Sequence, residues 1–259
     1  MGFAETRGIL PLLNGETLEP LSSGISIISK KEYSFSTDTV LLASFSIPKA
    51  GEACADFGSG CGAIPFIWLA RSKPGSVYAV EIQKDACGLI KRSAEMNGFT
   101  NKINIINQDI NDLKKTGSIP HGLDLISCNP PYTENSSGVQ SSNNSRMTAR
   151  HELLCTFQEI ASTAASFLRW GGRFCCCMRP ERLCSTLLTL RENGIEPKRL
   201  CFVQHSKGKP PFLFLLQANR GGNPGMKVEP ALFVKSESGN YSEEMQKIYG
   251  TYMEGRHER

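Results

Sequence analysis

An α/β fold built on a mostly parallel, doubly wound sheet is predicted by three features of the 259-residue chain. Short apolar runs alternate with stretches of helical period from residue 53 to about 218, the pattern of repeated βαβ units. The run Ala53–Phe57 passes through Gly58-Ser59-Gly60-Cys61-Gly62 into a helix, a turn whose bare backbone can approach a ligand. The last two apolar runs are joined by a loop too short for a crossover, so an antiparallel hairpin is expected at one edge.

Taken in order, Ile9–Pro20 and Ile25–Ser29 read as short strands, and Ser36–Phe45 as a helix capped by Ser36 or Thr37. The helix Ala63–Arg71 stops before Lys73-Pro74-Gly75. Val77–Ile82 is the next strand, and the helix Lys84–Asn97 ends at Gly98, a glycine C-cap. Strands follow at Ile103–Asn107 and Leu123–Cys128, the latter ended by Asn129-Pro130-Pro131-Tyr132. Segment 133–148 is polar and aperiodic and reads as a loop. A long helix is expected over Glu152–Trp170, stopping at Gly171-Gly172, then a strand at Arg173–Met178 and a helix at Glu181–Arg191. Leu200–Gln204 and Phe212–Gln217 form the hairpin, with a strand-like Ala231–Val234 and a short helix Glu243–Tyr249 beyond. This divides the chain into an extension (1–50) packing on the core, a core (51–220) and a C-terminal appendage (221–259).

Composition narrows the class. Hydrophobic residues make up 40% and charged residues 21%, which excludes wholesale disorder and fibrous repeats. No apolar run approaches the roughly 20 residues of a membrane span, and the opening Met-Gly-Phe-Ala-Glu-Thr-Arg has no basic-then-apolar export pattern, so a cytoplasmic location is expected. The ten cysteines show neither C-x-x-C pairs nor zinc spacing with the four histidines. They read as reduced core thiols, and no metal is expected. The net charge of +4 is unevenly placed: residues 146–220 carry 12 Lys/Arg against 5 Asp/Glu. That stretch suggests an anionic partner such as nucleic acid, although a merely solvated basic face fits the charge about equally.

Three motifs carry chemistry. In Asp56-x-Gly58-x-Gly60-x-Gly62, the glycines let the backbone turn tightly. Gly58-x-Gly60-x-x-Ala63 also fits a dinucleotide pattern, but an acid before the first glycine repels phosphate. The arrangement suits a phosphate-free, zwitterionic nucleoside such as S-adenosylmethionine. Glu81, at the next strand's end, can accept from ribose hydroxyls. Asp109 can accept from an adenine amino group, with Ile82 and Ile110 on either face of the ring, or can cap the helix that begins at Ile110. Third, Asn129-Pro130-Pro131-Tyr132 ends a strand at the carboxyl edge. The Asn129 side-chain oxygen and the Pro130 carbonyl can together hold the two hydrogens of a planar amino group, and Tyr132 offers a stacking face.

With these motifs the chain resembles the class I S-adenosylmethionine-dependent methyltransferases that carry Asn-Pro-Pro-Tyr, and most closely the bacterial valine-tRNA adenine-N6 methyltransferases. Ser36-Thr37-Asp38-Thr39-Val40-Leu41-Leu42 is similar to that family's Thr-Asp-x-x-Leu-Leu segment beside the cofactor. Arg146-Met147-Thr148-Ala149-Arg150-His151-Glu152 resembles its Ala-Arg-His-Glu stretch, and Tyr241–Gly250 its short terminal motif. Ser36 departs from a usual glycine, and Cys61 from a usual small residue or serine. The resemblance implies a Rossmann-like, seven-stranded sheet, with Thr37, Asp38, Asp56, Gly58, Gly60, Gly62, Glu81, Ile82, Asp109, Ile110 and Asn129 around S-adenosyl-L-methionine. It implies methyl transfer to N6 of a tRNA adenosine 3′ of the anticodon. Arg146, Arg150, Lys198, Arg199, Lys207 and Lys209 are the candidate phosphate contacts, and no obligate protein partner is inferred. Two other readings remain: a glutamine-N5 methyltransferase acting on protein, and a catalytically silent cofactor-binding RNA module. The short stretch before the glycine motif weighs against the first, and the intact Asn-Pro-Pro-Tyr against the second.

Overall fold

Seven long strands and two two-residue strands form one sheet, in the order β10-β8-β9-β7-β6-β3-β4-β5 with β11 also beside β8. The computed structural model describes residues 11–22, 24–130 and 156–250. The strands are β3 (Ala53–Phe57), β4 (Ser76–Glu81), β5 (Ile103–Asn107), β6 (Leu123–Cys128), β7 (Leu168–Met178), β8 (Ile195–Gln204), β9 (Pro211–Arg220), β10 (Lys227–Val228) and β11 (Leu232–Phe233). Strands β3 to β7 pair in parallel, and β9 lies antiparallel between β7 and β8. The expected edge hairpin is therefore present.

Because β3 neighbours β4 on one side and β6 on the other, the strand order reverses between β3 and β6. Crevices at the carboxyl ends of strands open at such a point. The glycine turn after β3 and Asn129-Pro130 after β6 both lie there.

Ahead of the sheet, β1 (Glu16–Ser22) and β2 (Ile25–Lys30) form an antiparallel ribbon. The backbone N–H of Ile28 donates to Ser93 Oγ at 2.9 Å and Asn97 Nδ2 donates to Ser26 O at 2.7 Å, fastening the ribbon to α3 (Lys84–Asn97). Helices α1 (Thr37–Phe45), α2 (Ala63–Arg71) and α3 cover one face of the sheet. The other face is covered by α5 (Phe157–Phe167) and α6 (Leu183–Glu192), with the one-turn α4 (Leu113–Thr116) beside them. Strand alternation sorts side chains between the two layers: Cys175 and Cys177 enter one cluster and Cys176 the other. Burial pushes the Cys61 and Cys175 thiols up to about 12, so they behave as small apolar residues.

The expected helix over 152–170 is corrected. Residues 152–155 lie outside the described segments, the helix occupies Phe157–Phe167, and the strand begins at Leu168, five residues earlier than the sequence suggests. Leu168 turns extended at the helix end and pairs with Leu123, and Arg169 forms an ion pair with Asp124 at 2.6 Å. A Cβ on Gly172 would lie 2.9 Å from the carbonyl oxygens of Arg169 and Leu123. The two glycines thus serve a bulge inside the strand and do not cap a helix.

Residues after 220 join the core. β10 and β11 extend the sheet beside β8, and α7 (Glu243–Tyr249) buries Met245 and Tyr249 in the same cluster as α1 and α2. Arg71 of α2 donates to the Ile248 carbonyl, a second tie to this helix.

Candidate active site

The glycine turn is shaped by its own backbone. Gly58, Gly60 and Gly62 have φ of +75°, +54° and +87°, the left-handed region open to glycine. The N–H groups of Gly58 and Ser59 both donate to Val80 O, at 2.9 and 3.0 Å, holding the turn against β4. A Cβ on Gly62 would press on Ile90 and Phe66 at 3.1 Å, so this glycine lets α2 pack. At Gly58 and Gly60 a Cβ would meet nothing within 4 Å. The protein therefore leaves open space, a cradle, beside those two residues.

Glu81, 4% exposed at the end of β4, closes the cradle. Its Oε2 accepts from Gly60 N at 2.8 Å and its Oε1 from Gln83 N at 2.9 Å. Asn107, which sequence reasoning passed over, donates from Nδ2 to the carbonyls of Glu81 and Ile82 at 3.0 and 2.8 Å and fixes the chain after β4. Ile82 and Ile110 are half-buried. Asp109 Oδ1 accepts from Asn111 N at 2.8 Å, so the capping alternative is realised on a single 3-10 turn.

Asp56 is only 1% exposed, and its Oδ1 accepts from Ser127 Oγ of β6 at 2.5 Å. Burial pushes its carboxyl up to about 7. The Ser127 and Ser59 hydrogen bonds pull the other way, and the Glu81 charge adds to the rise. In this structure Asp56 ties β3 to β6 from within; Glu81 and the glycine turn line the crevice.

Asn129 follows the last residue of β6, half-buried, with buried Pro130 next to it. Its Nδ2 donates to Thr39 Oγ1 at 3.1 Å, and its Oδ1 accepts from Cys177 Sγ at 3.1 Å. Thr37 and Asp38 sit half-buried in the first turn of α1, and the hydroxyls of Thr37 and Tyr249 are 2.9 Å apart. The fold thus gathers the glycine turn, Glu81, the start of α1 and Asn129 at one edge. Thr39 and Tyr249 lie inside segments quoted for the resemblance but were given no role of their own, and Ser127 and Cys177 carried no local signal in the sequence. Pro131, Tyr132, Arg146 and Arg150 lie outside the described residues.

The remaining basic residues separate. β8 is parallel to β7, so the turn after Gln204 lies at the carboxyl edge that Asn129 occupies, with Lys207 and Lys209 exposed on it. Lys207 is 3.7 Å from Glu237, a solvated contact worth little. Lys198 and Arg199 lie nearer the start of β8, toward the opposite edge. Lys198 Nζ donates to Asn223 O at 3.0 Å. Arg199 pairs with Glu229 at 2.9 Å, donates to Gln217 Oε1 at 2.9 Å and lies 4.5 Å from the Phe45 ring centre. Its side chain fastens β8 to its neighbours.

Among the described residues, no group of His, Cys, Asp and Glu is placed to hold a metal ion, and no helix is long and apolar enough to cross a membrane.

A seven-stranded core with an antiparallel next-to-edge strand, and a glycine cradle at the point of strand-order reversal, defines a Rossmann-like methyltransferase. The chain belongs to the family described as Methyltransferase small domain, whose model matches residues 24–191. It is 28% identical over 214 residues to the tRNA1(Val) (adenine(37)-N6)-methyltransferase of Photorhabdus laumondii, covering 82% of this chain and 85% of that protein. It is 25% identical to the protein of the same name from Parabacteroides distasonis, covering 82% and 87%. Among solved structures, a predicted O-methyltransferase from Agrobacterium tumefaciens superposes with a TM-score of 0.68 at 17% identity, covering 83% of this chain and 97% of that one. That likeness is one of fold.

Proposed function

We propose that the protein transfers a methyl group from S-adenosyl-L-methionine to the N6 amino group of adenosine in tRNA, at the base 3′ of the anticodon of a valine tRNA. The observation that carries this reading is Asn129-Pro130 at the carboxyl end of β6, beside the glycine cradle that ends β3. The names of the relatives support the substrate, and the sequence match spans most of both chains.

The open space beside Gly58 and Gly60 and the backbone-held carboxylate of Glu81 fit a nucleoside cofactor. In this reading Glu81 receives the ribose hydroxyls, Ile82 and Ile110 flank the adenine with Asp109 at its edge, and Thr37 and Asp38 close the side formed by α1. Gly62 keeps α2 in place, and Asp56 holds β3 to β6. When bound, the cofactor supplies an electrophilic methyl on a sulfonium. The Asn129 Oδ1 and the Pro130 carbonyl accept the two hydrogens of the target amino group. That orients the nitrogen lone pair and raises its electron density, so positioning takes the place of a strong base. Tyr132 stacks the extruded base, Pro131 fixes the backbone between, and Arg146, Arg150, Lys207 and Lys209 contact phosphates. Residues 51–220 form the catalytic core in this reading, and the enzyme works in the cytoplasm on free tRNA.

Incubation with S-adenosylmethionine and undermethylated tRNA, followed by nucleoside mass spectrometry, tests the proposal. N6-methyladenosine should appear with the wild type and not with Asn129→Ala. Methylated glutamine in a protein substrate, with unmodified tRNA, would replace this reading by the amide one.

A further inference from the structure

An amide side chain has a donor end and an acceptor end of nearly equal size, and half a turn exchanges them. The target amino group presents N–H donors, so Asn129 works only with its oxygen toward them. Each end has a partner on another element. The Nδ2 end meets Thr39 Oγ1 of α1, and the Oδ1 end meets the thiol of Cys177, a fully buried residue at the end of β7. We propose that Thr39 and Cys177 are positioning residues that fix which end of the Asn129 amide faces the substrate; this rests on the role given to Asn129 above.

Thr39 Oγ1 also accepts from Ser36 N at 3.5 Å. Two incoming N–H groups use both lone pairs of that hydroxyl, which favours the amino end of the amide at this spot. A thiol is a weak donor, and the amide oxygen has two lone pairs. Cys177 therefore marks the oxygen's side without exhausting its acceptor strength. A serine there would donate more strongly and compete with the substrate. α1 is itself anchored through Thr37 and Tyr249, so the element presenting Thr39 is held at its first turn.

The test uses Thr39→Val, Thr39→Ser, Cys177→Ala and Cys177→Ser, with Asn129→Ala as reference and thermal unfolding to check each fold. Thr39→Val is expected to lower kcat about tenfold or more, with KM for tRNA and affinity for S-adenosylhomocysteine within about threefold. Thr39→Ser should recover most of the rate. Cys177→Ala should lower kcat less than Thr39→Val, and Cys177→Ser should lower it without recovering. Asn129 side-chain amide signals, identified by their loss in Asn129→Ala, give a readout free of substrate and cofactor: in Thr39→Val they should shift and exchange faster with water. Unmoved amide signals, or full kcat in Thr39→Val and Cys177→Ala beside an inactive Asn129→Ala, would overturn the positioning role and leave Asn129 in place. Full turnover by Asn129→Ala would overturn both.

Discussion

The hydroxyls of Thr37 and Tyr249 lie 2.9 Å apart although 212 residues separate them. This contact joins the first turn of the helix beside the crevice to the last residue of α7. Tyr249 is 4% exposed, so loss of its hydroxyl strips Thr37 of a buried partner. Tyr249→Phe is expected to cost about 0.5–1.5 kcal/mol of stability. Affinity for S-adenosylhomocysteine should fall with it. Thr37→Val should cost a similar amount, and the double variant clearly less than the sum, because both changes remove the same bond. Thermal unfolding of the four proteins of this cycle measures the coupling; additive losses would show that the bond contributes nothing.

Glu81 is the carboxylate that accepts from Gly60 N in the glycine turn, and in the proposed reading it receives the ribose hydroxyls. Glu81→Ala should weaken S-adenosylhomocysteine binding by about 1–3 kcal/mol, roughly 5- to 150-fold, while tRNA binding stays near wild type. Calorimetric titration reads the first quantity and filter binding the second. Unchanged cofactor affinity would remove Glu81 from the site.

The buried carboxyl of Asp56 sets a pH dependence of stability. Its pKa in the folded protein is about 7, against 3.8 for an ordinary aspartate. The folded state therefore holds a proton that the unfolded chain releases. This contribution is complete below about pH 4 and is lost as the pH rises to about 7. Asp56→Asn, which keeps an acceptor for Ser127, should flatten that part of the stability curve. Denaturant unfolding across the window distinguishes the two proteins, and parallel curves would mean that Asp56 titrates normally.

Lys207 and Lys209 are exposed at the edge that carries Asn129. If they contact phosphates, Lys207→Ala with Lys209→Ala should reduce the slope of log affinity for tRNA against log salt by roughly one to two units. Cofactor affinity should not change. Filter binding over a salt series decides, and an unaltered slope with unaltered affinity would exclude both lysines from the RNA surface.

Arg199 is expected to behave differently. Arg199→Ala removes the pair with Glu229, the bond to Gln217 and the contact with Phe45, so its main effect should be a stability loss of about 1–2 kcal/mol. The salt slope of tRNA binding should hardly move. A reduced slope with unchanged unfolding would return Arg199 to the phosphate track.

The sequence by itself determined the strand and helix order, the glycine cradle and the place of Asn129 at a strand end. Those features are written in residues close together along the chain: short apolar runs at β4 and β6, helical period in α3 closed by Gly98, and glycines where φ must be positive. Where local signals competed, as at Gly171-Gly172, the reading failed, because a glycine pair suits a bulge as well as a helix end. The tertiary structure alone decided which polar groups meet. Sheet order places Ser127 against Asp56 and Cys177 against Asn129, and helix packing brings Thr39 to the same amide. It also engages Arg199 with Glu229 and leaves Lys207 and Lys209 exposed, though all three belong to one basic stretch. The physical reason is that burial and partnership are properties of neighbours in space, and here those neighbours lie 30 to 90 residues away along the chain.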